Sequence, residues 1–242
     1  MLFGFFWGDW TILVLIPAMI FAFWAQINVS STFEKYNKVK NRRGLTGAEA
    51  ARRILDANGL HHVRIEHIPG NLNDHFDPRD NVIRLSDAVH DATSAAAIGV
   101  AAHEAGHACQ HATGYGPIKL RAAIIPVTNF GSKLAMPVFF IGLLFASFGT
   151  GGNPAADILM MSGILLFSLV TLFQLVTLPT EFNASSRAMK VLASQGILYD
   201  EELTAAGKTL RAAALTYVAA LATSLASLLR LLLIFSGARR RD

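Results

Sequence analysis

His103-Glu104-Ala105-Gly106-His107, preceded by Ala101-Ala102, is the stretch from which the rest of the chain can be read. On a helix, residues four apart stand one turn above each other, so His103 and His107 can offer two imidazoles to one ion. Glu104 starts one step round the helix. In sites of this spacing it reaches the metal-bound water instead of the metal and serves as general base. The flanks support a helix. Asp91-Ala92-Thr93-Ser94 offers capping side chains, and Ala95 to Ala102 is small and apolar. That helix should be buried, with both histidines facing a cavity. A chance match in an Ala-rich helix is the bland alternative, so the surrounding chain has to decide.

Two histidines leave a catalytic zinc short of one protein ligand. A further His six positions after the second would fit one known pattern, but Thr113 stands there. His111 lies one turn further along the same face, where a straight helix carries it away from an ion held between His103 and His107. It reads better as a rim residue. The remaining source is a carboxylate on a second helix, and Glu181 in Leu178-Pro179-Thr180-Glu181-Phe182-Asn183-Ala184-Ser185 follows directly on an apolar run. It could equally be a solvated glutamate at a helix N-terminus. Composition alone does not choose between them.

Outward from the motif, the 242 residues are 52% hydrophobic and only 16% charged, with a mean hydropathy of +0.41. That excludes an ordinary soluble domain and points to a membrane protein. The one cysteine, Cys109, rules out an internal disulfide and reads as a small packed residue. The net charge of +4 is modest, and the basic residues read as topology signals instead of a nucleic-acid footprint.

Thr11 to Ile27 is uncharged and apolar, with Trp10 and Trp24 as interface anchors and Pro17 as an expected kink. Only Asp9 is charged before it, so a retained transmembrane helix fits better than a signal peptide. The basic stretch from Glu34 to Arg43 then argues for a cytoplasmic position. Thr46-Gly47-Ala48-Glu49 predicts a capping box and a short amphipathic helix ending at Asn58-Gly59. His62 to Ile68 and Asn81 to Ser86 alternate as strands, with turns at Pro69-Gly70-Asn71 and Asp77 to Asn81. Beyond the Gly114-Tyr115-Gly116-Pro117 stop, Arg121 to Lys133 is mixed. Leu134 to Phe148 and Leu159 to Leu178 form a transmembrane hairpin whose tip, 149–154, carries no Lys or Arg and is therefore expected outside. Leu215 to Phe235 contains Arg230 and precedes Arg239-Arg240-Arg241. A helix packed on the catalytic region or lying at the interface is preferred there, with a fourth span as the alternative.

The stretch from His103 to His111 together with Leu178 to Ser185 resembles the YugP-type membrane zinc metallopeptidases, a neutral zinc metallopeptidase family. The likeness extends to Asp74-His75-Phe76-Asp77-Pro78, the Val82 to Ser86 strand and Ala213-Ala214-Leu215-Thr216-Tyr217. More distantly the chain is similar to HtpX-like and CAAX-prenyl endopeptidases, which pair H-E-x-x-H with E-x-x-x-D. The resemblance implies that His103, His107 and Glu181 bind Zn2+ in a gluzincin-like set and that Glu104 is the catalytic base. Ser185 stands where the distant relatives carry Asp, so Asn183 or Ser185 must orient a histidine more weakly, or another group does.

The expected architecture is a mainly α membrane protein with a zincin-like catalytic region and a small β-sheet before the H-E-x-x-H helix. Its parts would be an N-terminal span at 1–29, a cytoplasmic zincin-like region at 30–133, a hairpin at 134–178 and C-terminal helices at 179–242. The expected function is a zinc endopeptidase of the cell membrane, with its site at the cytoplasmic face, cleaving membrane-associated or misfolded polypeptides. Tyr217, Arg211 and His111 are candidate donors to the oxyanion. The Val82 to Ser86 strand could offer its edge to an extended substrate, or be plain scaffold. The rival is a zinc-bearing scaffold that cleaves nothing, against which Glu104 speaks, since a structural site needs no base. A transporter would put ionisable residues in mid-span, and the hairpin runs contain none. Proteolysis inside the bilayer would need the motif in a long apolar span, whereas Asp87, Asp91 and Gln110 flank it here.

Overall fold

A computed structural model of the protein describes residues 9–148 and 153–239. A 3-10 turn, Trp10–Val14, leads into α1 (Ile16–Tyr36). There follow α2 (Gly47–Ala57), β1 (Arg64–Ile68), β2 (His75–Asp77), β3 (Val82–Ser86), α3 (Ala95–Ala112), α4 (Gly116–Phe148), α5 (Pro154–Ser194) and α6 (Asp200–Arg239). The chain divides into two compact units. One comprises the described parts of residues 1–24, 120–177 and 217–242, the other residues 25–119 and 178–216.

The first unit is the apolar one. α1 with its preceding turn, α4, α5 and α6 are each long and apolar enough to cross a membrane, with best-window mean hydropathies of 2.1, 1.6, 2.2 and 2.1. Within the unit Phe139, Met160, Ile164, Leu231 and Ile234 form a core, while Phe23, Phe130 and Leu165 are exposed, as lipid-facing side chains would be. Three expectations change here. Pro17 lies in the first turn of α1, where its missing N–H has no helical partner to lose, so it is no mid-helix kink. The mixed segment and the short apolar run fuse into the single 33-residue α4, which contains both Pro126 and Pro137 and is long enough to span. And α6 meets the criteria for a fourth span.

One of the two objections to that fourth span is Arg230, the other being the arginine triplet that follows it. Arg230 Nη2 lies 2.7 Å from Asp9 Oδ2, and its Nε donates to Thr11 Oγ1 at 3.4 Å. A paired arginine in an apolar helix costs far less than an isolated one. Arg239 Nε stands 3.6 Å from Asp157 Oδ2, which sets the end of α6 beside the first turn of α5. Gly149 to Gly152 at the hairpin tip, and Arg240 and Arg241, lie outside the described residues.

The second unit carries the polar chemistry. Thr46 caps α2 through the predicted box: its hydroxyl accepts Glu49 N–H at 3.2 Å and Glu49 accepts Thr46 N–H at 2.9 Å. Gly59 follows the helix at φ +71°, a conformation that favours glycine. The sheet has the order β1-β3-β2, with β1 parallel to β3 (Arg64 opposite Val82) and β2 antiparallel to it (His75 opposite Arg84). β3 is thus the middle strand, paired on both sides, and has no edge to offer a substrate. β2 lies between the two expected strands and leaves no sign in the sequence, because three residues beside Pro78 carry no alternation to detect. Val82, Ile83 and Leu85 are fully buried, and Ile83 and Leu85 build one core with Ile54, Leu55 and Ile98 around α3. At about 1.5–3 kcal/mol for each large side chain, this burial fixes the strands and α2 against α3.

Candidate metal centre

Ser94 caps α3, its hydroxyl accepting Ala97 N–H at 3.1 Å. Ala95, Ala96, Ala97, Ala101, Ala102 and Ala105 are wholly buried, so small side chains let other elements come close on every side but one. At Gly106 the approach is closest: a Cβ there would stand 2.7 Å from the carbonyl oxygen of Ala184 on α5. Backbone contact at that crossing brings Glu181, one turn before Ala184, over the two histidines.

Glu181 Oε2 lies 3.2 Å from His103 Nε2 and 3.4 Å from His107 Nε2. The imidazoles meet edge to face, with centroids 4.6 Å apart and planes at 85°. Donor atoms at 2.0–2.1 Å around a tetrahedral zinc lie about 3.3 Å from one another. The two distances to Glu181 match that edge, so these residues fit the ion with little movement. Glu181 is 2% exposed and sits inside α5, not at a solvated helix start.

Each histidine is oriented through its other nitrogen. His103 Nδ1 is 3.1 Å from Ser185 Oγ, and His107 Nδ1 is 3.0 Å from Gln110 Oε1. The amide of Gln110 donates to Thr180 O at 2.8 Å and to Asn183 Oδ1 at 3.0 Å. With both amide hydrogens committed, its oxygen can only accept, so His107 Nδ1 donates to it and Nε2 is the nitrogen that faces Glu181. Asn183 is steadied by Arg187, whose Nε donates at 2.8 Å and whose guanidinium stands over the Tyr115 ring.

Glu104 points the other way, toward the sheet. Its Oε2 accepts the Phe76 N–H of β2 at 2.9 Å. Burial pushes its carboxyl above the ordinary range. His103 and His107 pull it back, while the negative charges of Glu181 and Asp74 add to the rise. Asp74 is itself raised by burial, against the pull of hydrogen bonds from Ser86 N–H at 2.7 Å and Ser86 Oγ at 3.1 Å. Burial alone would lower the His107 imidazole, but the bond to Glu181 and the carboxylate charges around it outweigh that, and its pKa rises. A raised carboxylic acid beside two histidines and a carboxylate is an arrangement suited to moving a proton.

The structure therefore brings His103, His107, Glu181, Glu104 and Ser185 together, with Asn183 one step behind. His111 is exposed and meets Phe76 edge-on, with centroids 6.0 Å apart. Arg211 is exposed on α6 and forms no hydrogen bond or ion pair with the site among the described residues. Tyr217 belongs to the first unit. Three participants escaped sequence reasoning: Gln110, the Phe76 N–H and the Asp74 carboxylate. Gln110 alone left a signal, a large amide three residues after His107 in a helix otherwise built of small residues.

Residues 11–236 match the profile of a family described as a putative neutral zinc metallopeptidase. The chain is also 49% identical, over 228 residues, to the "Putative membrane protease YugP" of Bacillus subtilis (strain 168), a match covering 94% of this chain and 97% of that protein. No solved structure matches it.

Proposed function

Since the chain belongs to the neutral zinc metallopeptidase family, we propose that it is a membrane-bound zinc endopeptidase whose centre is His103, His107 and Glu181 with Glu104 as base. The observation that carries this is the meeting of Glu181 Oε2 with both Nε2 atoms at 3.2 and 3.4 Å, beside a buried glutamate that is not one of the three donors.

His103, His107 and Glu181 would hold the ion in the H-E-x-x-H plus Glu arrangement of gluzincins. Bound zinc would lower the pKa of a coordinated water to about 7 and polarise the scissile carbonyl. Glu104 keeps Oε2 on Phe76 N–H and leaves Oε1 to take the proton of the attacking water, which it returns to the leaving amine. Gln110 and Ser185 hold the imidazoles, doing what the carboxylate of the distant relatives would do. Of the three oxyanion candidates, His111 meets Phe76, whose N–H is bound by Glu104. An extended substrate would lie along β2, the outer strand next to Glu104, and not along β3.

The basic run from Glu34 to Arg43 after the first span supports a centre on the cytoplasmic face, and with it membrane-associated or misfolded polypeptides as substrates. The test is bound metal and casein cleavage in detergent-purified wild type, Glu181→Ala and Glu104→Gln. Loss of metal in Glu181→Ala, and retained metal without cleavage in Glu104→Gln, is the expected pair. Full metal in Glu181→Ala overturns the ligand set. Cleavage that survives in Glu104→Gln removes the base, and a zinc-loaded wild type that cleaves nothing favours the scaffold reading.

A further inference from the structure

His67, at the end of β1, and His90-Asp91, in the segment leading into α3, form a second group whose donor atoms all lie within 4.8 Å of one another. His67 is held in place: its Nε2 lies 2.8 Å from Asp87 Oδ1, and Asp87 Oδ2 accepts the Gly70 N–H at 2.8 Å. A carboxylate bound to one ring nitrogen commits that nitrogen as the proton carrier and leaves the other as a lone-pair donor. For His67 the free donor is Nδ1. His90 Nδ1 stands 2.8 Å from Asp91 Oδ1, and the two imidazoles stack with centroids 4.8 Å apart and planes at 22°.

We propose that His67, His90 and Asp91 form a second metal site, with Asp87 orienting His67. Two imidazoles and one carboxylate select a borderline transition ion such as Zn2+, Co2+ or Ni2+ over Mg2+ or Ca2+, which favour all-oxygen shells. Stacked rings cannot both aim lone pairs at one ion, so the stack must open as the ion enters. The side chains are 45% and 23% exposed, which leaves them room to turn. That rearrangement and the solvent-facing position make this the weaker, exchangeable site beside the buried donors at Glu181. The ion would tie β1 to the approach to α3. There His90 N–H already bonds Ser86 O at 2.9 Å and Ala48 N–H bonds His90 O at 3.0 Å, so occupancy should register as thermal stability of the unit.

The experiment uses the full chain, freed of any affinity tag, stripped with chelator and titrated with Zn2+ under equilibrium dialysis. Bound metal is counted in wild type, His67→Ala/His90→Ala, His103→Ala/His107→Ala and the quadruple variant. Two ions in wild type, one in each double variant and none in the quadruple variant is the expected pattern. Added Zn2+ should raise the melting temperature of His103→Ala/His107→Ala, and not that of the quadruple variant. Equal stoichiometry in wild type and His67→Ala/His90→Ala overturns the proposal. So does a zinc-induced stabilisation that survives in the quadruple variant. Neither outcome depends on cleavage, and loss of metal in His103→Ala/His107→Ala alone bears only on the peptidase centre.

Discussion

Gly106→Ala adds one methyl at the crossing of α3 and α5 and should cost the protein its zinc before it costs the fold. The new Cβ would meet the Ala184 carbonyl oxygen at 2.7 Å, whereas ordinary contact begins at 3.4 Å. The helices must therefore part by 3.4 − 2.7, or 0.7 Å, and the atom in the way is backbone, which cannot swing aside. Zinc donors tolerate about 0.2 Å of error, so a shift of this size carries Glu181 well out of reach. Stability is a closer contest. Overpacking costs about 1–3 kcal/mol, while alanine regains about 1 kcal/mol over glycine inside a helix. The expected variant is folded, modestly less stable, and weaker for zinc by about 100-fold or more, beyond what loss of an orienting partner does. Chelator competition measures the affinity and far-ultraviolet circular dichroism the helix content. Gly99→Ala is the control on the same helix. Its Cβ would lie 3.2 Å from Ala206 Cβ, needs only 0.2 Å of relief, and should leave zinc affinity unchanged. Wild-type zinc affinity in Gly106→Ala would refute the view that this crossing places the third donor.

Gln110→Leu removes the acceptor that holds His107 Nδ1 and frees the ring to turn; zinc affinity should fall about 10–100-fold, and Ser185→Ala, which removes one neutral hydroxyl, should cost less. A larger effect at Ser185 would reverse the assignment of the stronger orienting group. Asp74 is raised above 3.8 by burial, so its contribution to stability is complete below about pH 4 and lost as the pH climbs through its folded value. Asp74→Asn keeps an acceptor for Ser86 N–H and removes that loss, so its melting temperature relative to wild type should rise with pH; a difference that stays flat contradicts the buried ionisation. Arg230→Met leaves Asp9 without its partner in an apolar unit and should destabilise by about 3–5 kcal/mol, while adding Asp9→Asn should recover part of the loss in detergent melts. No recovery would mean that Arg230 acts through something other than Asp9.

How much of this was legible in the chain depends on the range of the interaction involved. The capping box at Thr46, the α3 boundaries and the H-E-x-x-H face are local, set by residues three or four apart, and the sequence carried them. The apolar runs announced the membrane character, but the ends of the helices did not follow from hydropathy. α5 continues through Pro179 to Ser194 because the polar half beyond Leu178 belongs to the other unit, where its helix is held by packing at Ala184, Ala188 and Leu192. For the same reason composition left Glu181 open between a ligand and a solvated helix start, when it is a buried residue inside a helix. Beside the terminal arginine triplet, the other objection to the fourth apolar helix rests on Arg230 taken alone; its partner Asp9 lies 221 positions away, and no window of sequence contains both.

The range of an interaction also decides why the resemblance could name Glu181 and yet not find Gln110. A family motif fixes the residue types that chemistry requires, and the third donor is one of these. The group that orients a ligand has only to present an acceptor at the right place, so the chain can supply it from any element that passes nearby. Here a carboxylate position on α5 holds Ser185, and an amide on α3 itself takes the stronger role, since Gln110 stands three residues beyond His107 on the same helix. Gln110 reaches that role only because Thr180 and Asn183 absorb its two donors. Those partners adjoin the Ala184 backbone, whose close approach needs Gly106 to have no side chain. The proposed zinc donors, the orienting amide and the glycine thus depend on one helix crossing, which is why the methyl at Gly106 tests all of them at once.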